Sequence, residues 1–135
     1  MAEPYLAIQV VMMPRDTNPH GTIFGGVILS YLDQAGAIGA YREILKAGGP
    51  PPVLVTVAMN RVEFHKPVLV GDVVRFQTSL RRIGKTSITM HVNVLAERAG
   101  LIQQVTEAEV IYVGIDPASK DKRVPKILVP ETSGG

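Results

Sequence analysis

Between residues 27 and 46 the apolar side chains do not keep to one stripe. Val27, Ile28, Leu29, Tyr31, Leu32, Ala35, Ala37, Ile38 and Ala40 fall on nearly every side of a 3.6-residue wheel, and charge returns only at Arg42, Glu43 and Lys46. This pattern predicts a long helix buried all round by whatever wraps it. Further along, the period drops to two. Val74, Phe76, Thr78 and Leu80 alternate with Arg75, Gln77, Ser79 and Arg81. Ile88, Met90, Val92 and Val94 lie opposite Thr89, His91 and Asn93, and Thr106, Ala108, Val110 and Tyr112 lie opposite Glu107 and Glu109. Alternation of this kind predicts three consecutive antiparallel strands, each with one core face and one polar face. Residues 5–13, closed by Pro14, and the β-branched run 53–64 supply two more.

Breaks in the pattern separate these elements. Asp16, Asn18, Pro19 and Gly21 make a turn-rich loop ahead of Gly25-Gly26 and the helix. A breaker run, Ala47-Gly48-Gly49-Pro50-Pro51-Pro52, follows it. Pro67 and Gly71-Asp72 mark a connection before the three strands, while Ile83-Gly84-Lys85 and Arg98-Ala99-Gly100 read as hairpin turns. The order is strand, helix, then four strands. It predicts an α+β domain over residues 1–115, an antiparallel sheet curled around one central helix, with an irregular tail over 116–135. Gly36, Gly39, Ala35, Ala37 and Ala40 let the sheet approach the helix closely.

Composition narrows the function. A chain of 135 residues fits one core. Ser30, Asp33 and Gln34 interrupt the apolar helix, so a membrane span is not expected. The first residues carry Glu3 and no base, unlike a secretory leader, and the cytoplasm is the expected compartment. Without cysteine there is no disulfide, metal thiolate or thiol nucleophile. A net charge of +2 and few aromatic residues argue against a nucleic-acid partner. The positive charge is uneven, however. Arg75, Arg81, Arg82 and Lys85 sit in a stretch without acids, and Lys120, Lys122, Arg123 and Lys126 are offset only by Asp121. Such groups suit a phosphate-bearing ligand, although a solvated hairpin end and tail would look the same.

The chemistry is expected at the helix. Asp33 is a lone acid on a buried surface, costly unless paired or in use. Gly25 and Gly26 leave the first amides of the helix open, and such donors can hold a carbonyl oxygen that gains charge in acyl transfer. Eight residues of helix separate Gly25 from Asp33, about 12 Å. One carbonyl does not span that distance within a chain. Two helices antiparallel across a two-fold axis would bring one chain's entrance opposite the other's Asp33, so the spacing favours a homodimer with two shared sites. His20 is either a substrate contact at this entrance or incidental to the turn. His65 and His91 have no partner at metal-ligand spacing, and no metal site is expected.

Asn18, Gly21, Phe24, Gly25 and Gly26 form an N-x-x-G-x-x-F-G-G run followed by Asp33. Val55-Thr56-Val57, Phe64-x-x-Pro67 with Gly71-Asp72, and Gly84-x-Thr86-Ser87 continue the pattern. Together these motifs resemble the acyl-CoA thioesterases of the hotdog superfamily. The resemblance implies a hotdog fold, a dimer with a continuous sheet built up into tetramers or hexamers, and hydrolysis of acyl-CoA with no cofactor beyond the coenzyme A of the substrate. It implies Asp33 as catalytic carboxylate, acting as base or nucleophile, with Asn18 from the opposite subunit. Gly25, Gly26, His20 and Phe24 would bind the reacting end, and Arg82, Lys85, Thr86 and Ser87 the coenzyme. Thr56 is a further candidate contact to coenzyme A. Two alternatives stay open. Asp16 to His20 is superficially similar to the Asp…Asn-Pro-x-His motif of the enoyl-CoA hydratase branch, and a non-catalytic acyl-CoA sensor would keep the pocket without needing Asp33.

Overall fold

In the computed structural model, which describes residues 3–119 and 125–130, the alternating stretches become one antiparallel sheet. Its strands are β1 (Tyr5–Val11), β2 (Val53–Phe64), β3 (Val73–Ile83), β4 (Ser87–Arg98) and β5 (Leu101–Ile115), in the spatial order β1-β3-β4-β5-β2. The single long helix, α1 (Gly25–Lys46), lies on one face. The inner positions are apolar ones of the period-2 runs: Phe76, Ile88, Met90, Val92, Val94, Val110 and Tyr112 are buried. Leu80, expected on the same face as Phe76, is instead exposed where the β3–β4 register shifts between Leu80 and Arg82. Burying each large side chain contributes about 1.5–3 kcal/mol.

β5 begins at Leu101, four residues before the alternation becomes visible at Val105. Ala99 and Gly100 both take left-handed backbone angles, φ 52° and 81°, and close a two-residue turn that lets Arg98 pair directly with Leu101. Leu101 to Gln104 are exposed at every position, so their pairing leaves no hydrophobic signature.

Small residues set the height of α1 above the sheet. A methyl group at Gly36 would collide with the Tyr112 hydroxyl, and one at Gly39 with Thr78. The helix stops because Gly48 adopts φ 90°, while the amides of Gly48 and Gly49 return to the carbonyls of Leu45 and Ile44 at 3.1 and 2.9 Å. The Gly-Gly of the breaker run is thus a helix stop of the Schellman kind.

Burial of α1 differs from expectation. Ile28, Leu32, Ala35, Ala40 and Ile44 face the sheet, but Ile38, Tyr41 and Leu45 remain exposed. One five-stranded sheet covers one side of a helix, and within a single chain the other side is open. Edge strand β2 is likewise under-covered, with Val53, Val55, Val57 and Phe64 all exposed. At the opposite end of the chain, Pro125 bridges to Ile115 and Leu128 is buried against Gly114. Lys120, Asp121, Lys122 and Arg123 lie outside the described residues. Among the described residues no helix is long and apolar enough to cross a membrane.

Candidate active site

The loop before α1 is built by Asn18. Its Oδ1 accepts the amides of His20 (2.8 Å) and Thr22 (3.2 Å), and its Nδ2 donates to the Thr22 hydroxyl at 2.7 Å. This is an Asx turn with an added side-chain clasp. Two backbone bonds then anchor the helix entrance, Ile23 N–H to the Val68 carbonyl at 2.8 Å and Phe24 N–H to that of Asp16 at 2.9 Å. His20 and Phe24 point their side chains outward, and the His20 ring takes no described partner.

Phe24 occupies the N-cap and offers no side-chain oxygen to the helix. The amides of Gly25 and Gly26, the first two of α1, find no acceptor among the described residues. Gly25 packs beneath the Phe64 ring, whereas a Cβ on Gly26 would meet nothing within 4 Å. Beside them opens a cleft of about 380 Å³, whose lining includes Ile23, Gly25, Ile28, Phe64, His65 and Thr106. A helix start with unpaired donors carries partial positive charge, so the cleft suits an oxygen that becomes negative.

Asp33 sits two turns further on and is only partly buried. Its Oδ1 accepts the Thr56 hydroxyl at 2.8 Å, and its backbone carbonyl accepts the Tyr112 hydroxyl at 2.6 Å. Burial, and secondarily the Asp33 charge, pushes the Tyr112 phenol far above its ordinary range, so it stays a donor at any working pH. Tyr112 therefore fixes the helix turn and Thr56 fixes the carboxylate. Gly36, one turn after Asp33, makes room for the phenol. Thr56 was expected among coenzyme contacts. Its pairing with an acid 23 residues away is invisible in sequence; the only signal is a hydroxyl within the Val55-Thr56-Val57 run.

Asp33 and the glycine amides stay apart within the chain, at opposite ends of a helical stretch. α1 runs alongside β2 in the opposite direction: Gly25 lies under Phe64 at the end of that strand, and Asp33 lies at Thr56 near its start. Arg82 and Lys85 are exposed at the β3–β4 connection and make no ion pair among the described residues. The Thr86 and Ser87 carbonyls are engaged by the amides of Gly114 and Gly84 at 2.9 and 2.7 Å. Ser87 pairs across β5 through Val113 to Val55, so this group shares the end of the sheet that holds Thr56.

Residues 20–103 match the thioesterase superfamily. The acyl-CoA thioester hydrolase YciA of Salmonella typhimurium is 38% identical over 125 residues, covering 89% of this chain and 90% of its own. A hexameric hotdog fold thioesterase of Campylobacter jejuni superposes with a TM-score of 0.79 at 38% identity, covering 91% of this chain and 90% of that one. A hexameric broad specificity acyl-coenzyme A thioesterase, HI0827, superposes with a TM-score of 0.79 at 31% identity, covering 97% and 85%. The expected sheet and helix are thus those of the hotdog fold, and the chain belongs to the thioesterase superfamily, within its acyl-CoA thioester hydrolase family.

Proposed function

We propose that this protein hydrolyses acyl-CoA thioesters at sites shared between two copies of the chain, with Asp33 as the acting carboxylate. The observation that carries this reading is the opposed course of α1 and β2. β2 is an edge strand with an apolar, unpaired outer rim. An antiparallel pairing of β2 with its own copy, centred on Asn60, sets Thr56 against Phe64 of the partner subunit. The Asp33–Thr56 pair of one chain then faces the glycine amides and cleft of the other. The exposed valines of β2 become interface in the same step, and hexameric relatives make further assembly of such dimers the natural expectation.

In this site the thioester carbonyl oxygen takes the N–H groups of Gly25 and Gly26. Water attacks the carbonyl carbon and gives a proton to Asp33, whose Oδ1 is steadied by Thr56. The C–S bond breaks, the proton passes to the leaving sulfur, and the products are the free acid and coenzyme A. Asn18 shapes the loop at the entrance and offers its second amide hydrogen to the shared site. Phe24 and His20 border the reacting end, and Arg82, Lys85, Thr86 and Ser87 meet the coenzyme, the two bases at its phosphates. The reaction as written needs no metal and no cofactor beyond the coenzyme the substrate brings. We place it in the cytoplasm, in keeping with a chain that has no cysteine.

Mixing two inactive variants tests the shared site. Asp33→Asn removes the base, and Gly26→Val puts a side chain where the described structure leaves open space. Each homodimer should be inactive. Subunit exchange gathers both lesions into one site and leaves the other whole, so free thiol release from an acyl-CoA should recover toward half of the natural activity per heterodimer. Proven exchange without recovery would put both groups in one chain's site. Full activity of Asp33→Asn alone would end the mechanism, and acyl-CoA binding without thiol release by the natural chain would favour a sensor.

A further inference from the structure

The sheet face turned away from α1 gathers residues that are far apart in sequence. Glu63 on β2 stands directly across the ladder from Glu107 on β5, and Asn93 on β4 faces Glu107 from the other side. Two carboxylates opposed in this way repel unless something positive lies between them. His65, just past the end of β2, reaches back to that point. Its Nε2 lies 2.9 Å from Glu107 Oε2 and 3.7 Å from Glu63 Oε2.

One ligating atom from each of Glu63, His65 and Glu107 falls within 4.8 Å of the other two. Ligands placed tetrahedrally about 2.0–2.1 Å from a zinc ion stand about 3.3 Å from one another. Two of the three spacings, 2.9 and 3.7 Å, bracket that value, and the third is no more than 4.8 Å. Rotations of the exposed Glu63 and His65 side chains would bring the set onto an ion at the half-buried Glu107. Glu107 is also held from behind. His91 Nε2 lies 3.1 Å from its Oε1, and Gln104 Nε2 donates to its Oε2 at 3.1 Å and to Asn93 Oδ1 at 2.6 Å. Ligating carboxylates characteristically have such outer partners, which fix their orientation.

We propose that Glu63, His65 and Glu107 form a binding site for a divalent transition-metal cation of the zinc class, with His91 and Gln104 orienting Glu107. One imidazole and two carboxylates suit zinc, cobalt or nickel better than calcium or magnesium, which take oxygen ligands. Arg61 and Arg81 border the same shallow pocket and oppose a cation, while Glu109 favours it. The attraction must therefore come from direct ligation and not from the general field. A bound ion would tie edge strand β2 to β5 next to Phe64. His65 also lines the cleft beside Gly25 and Phe64, so the ion would border the substrate site. Its test reads metal uptake and melting, not thioester hydrolysis, and is therefore independent of the role given to Asp33.

Untagged protein, stripped with a chelator and titrated with zinc chloride in a calorimeter, should take up one ion per chain. His65→Asn and Glu107→Gln should each weaken that binding by at least about 10-fold, and His91→Gln by about 10-fold as an outer partner. Zinc should raise the melting temperature of the natural chain and not that of the two ligand variants. His65 is on the surface, so His65→Asn remains informative even if Glu107→Gln folds poorly. No saturable binding below millimolar zinc, or undiminished binding by the folded ligand variants, would overturn the proposal.

Discussion

Asp72 and Asp33 both lie beside the core, yet their surroundings have little in common. The Asp72 side chain is 1% exposed, and its acceptors are heavily engaged. Arg98 donates Nε to Oδ1 at 2.8 Å and Nη2 to Oδ2 at 2.7 Å, and the Leu69 amide adds a bond to Oδ2 at 2.9 Å. These bonds clasp the turn before β3 onto the end of β4. Asp33 has one described side-chain donor, Thr56, and no cation beside it among the described residues. A carboxylate whose lone pairs are filled by fixed donors holds structure together. One left with an oxygen to spare, at an open edge, is equipped to take a proton.

The same chemical change at both positions should therefore give opposite results. Asp33→Asn should lower kcat by about 10²–10⁴-fold, the usual cost of losing a general base, with the melting temperature nearly unchanged. Steady-state kinetics beside a thermal melt measures both. Asp72→Asn should cost about 1–3 kcal/mol of stability, because an amide nitrogen would replace an acceptor facing the Arg98 fork. The melting point should fall by several degrees while kcat per folded enzyme is kept. If Asp72→Asn lost its catalysis without losing stability, the contrast would collapse.

A smaller effect is expected at Thr56. Thr56→Val keeps the shape of β2 and removes one hydrogen bond to a charged group, so kcat should drop by about 10-fold with KM little changed. A loss as large as that of Asp33→Asn would mean that Thr56 acts on the substrate itself. The smallest effect concerns acid. The bonds from Arg98, outweighing burial, hold the Asp72 carboxyl below its ordinary value of 3.8. The unfolded chain then binds this proton more readily than the folded one. Asp72's contribution is complete above about pH 5 and is lost as pH falls through 3.8 to the lower folded value. Melting between pH 5 and pH 3 should show a shallower decline for Asp72→Asn than for the natural chain.

What could be read in the sequence follows from how local each signal is. The strands of the meander are legible because one face of each is buried, so Val74 to Thr78 and Ile88 to Val94 print their burial directly. Leu101 to Gln104 are paired but uncovered and print nothing. Apolar residues all round α1 were legible too, but not what covers Ile38, Tyr41 and Leu45, since hydrophobicity does not distinguish a chain's own sheet from another molecule. Asp33 stood out as an acid in an apolar helix, and the glycines as an uncapped entrance. Thr56 and Tyr112 did not, because their roles come from register across strands. The same holds for His65 and His91: their spacing predicts no metal site, yet Glu107 brings them together through pairings between β2, β5 and β4.

The strand order also has a kinetic consequence. β3, β4 and β5 follow one another through tight turns and can form as a local meander. The outer strands cannot: Val11 meets Val73 and Val53 meets Ile115 only after closing loops of about 60 residues. Contact order therefore leads us to expect the meander to form first during refolding, with β2 docking afterwards. Thr56 then reaches Asp33 late, so weakening that contact should hasten unfolding and hardly slow folding. Until β2 finds its place, its run of valines is an adhesive edge, and at high concentration correct assembly competes with aggregation for the same strand.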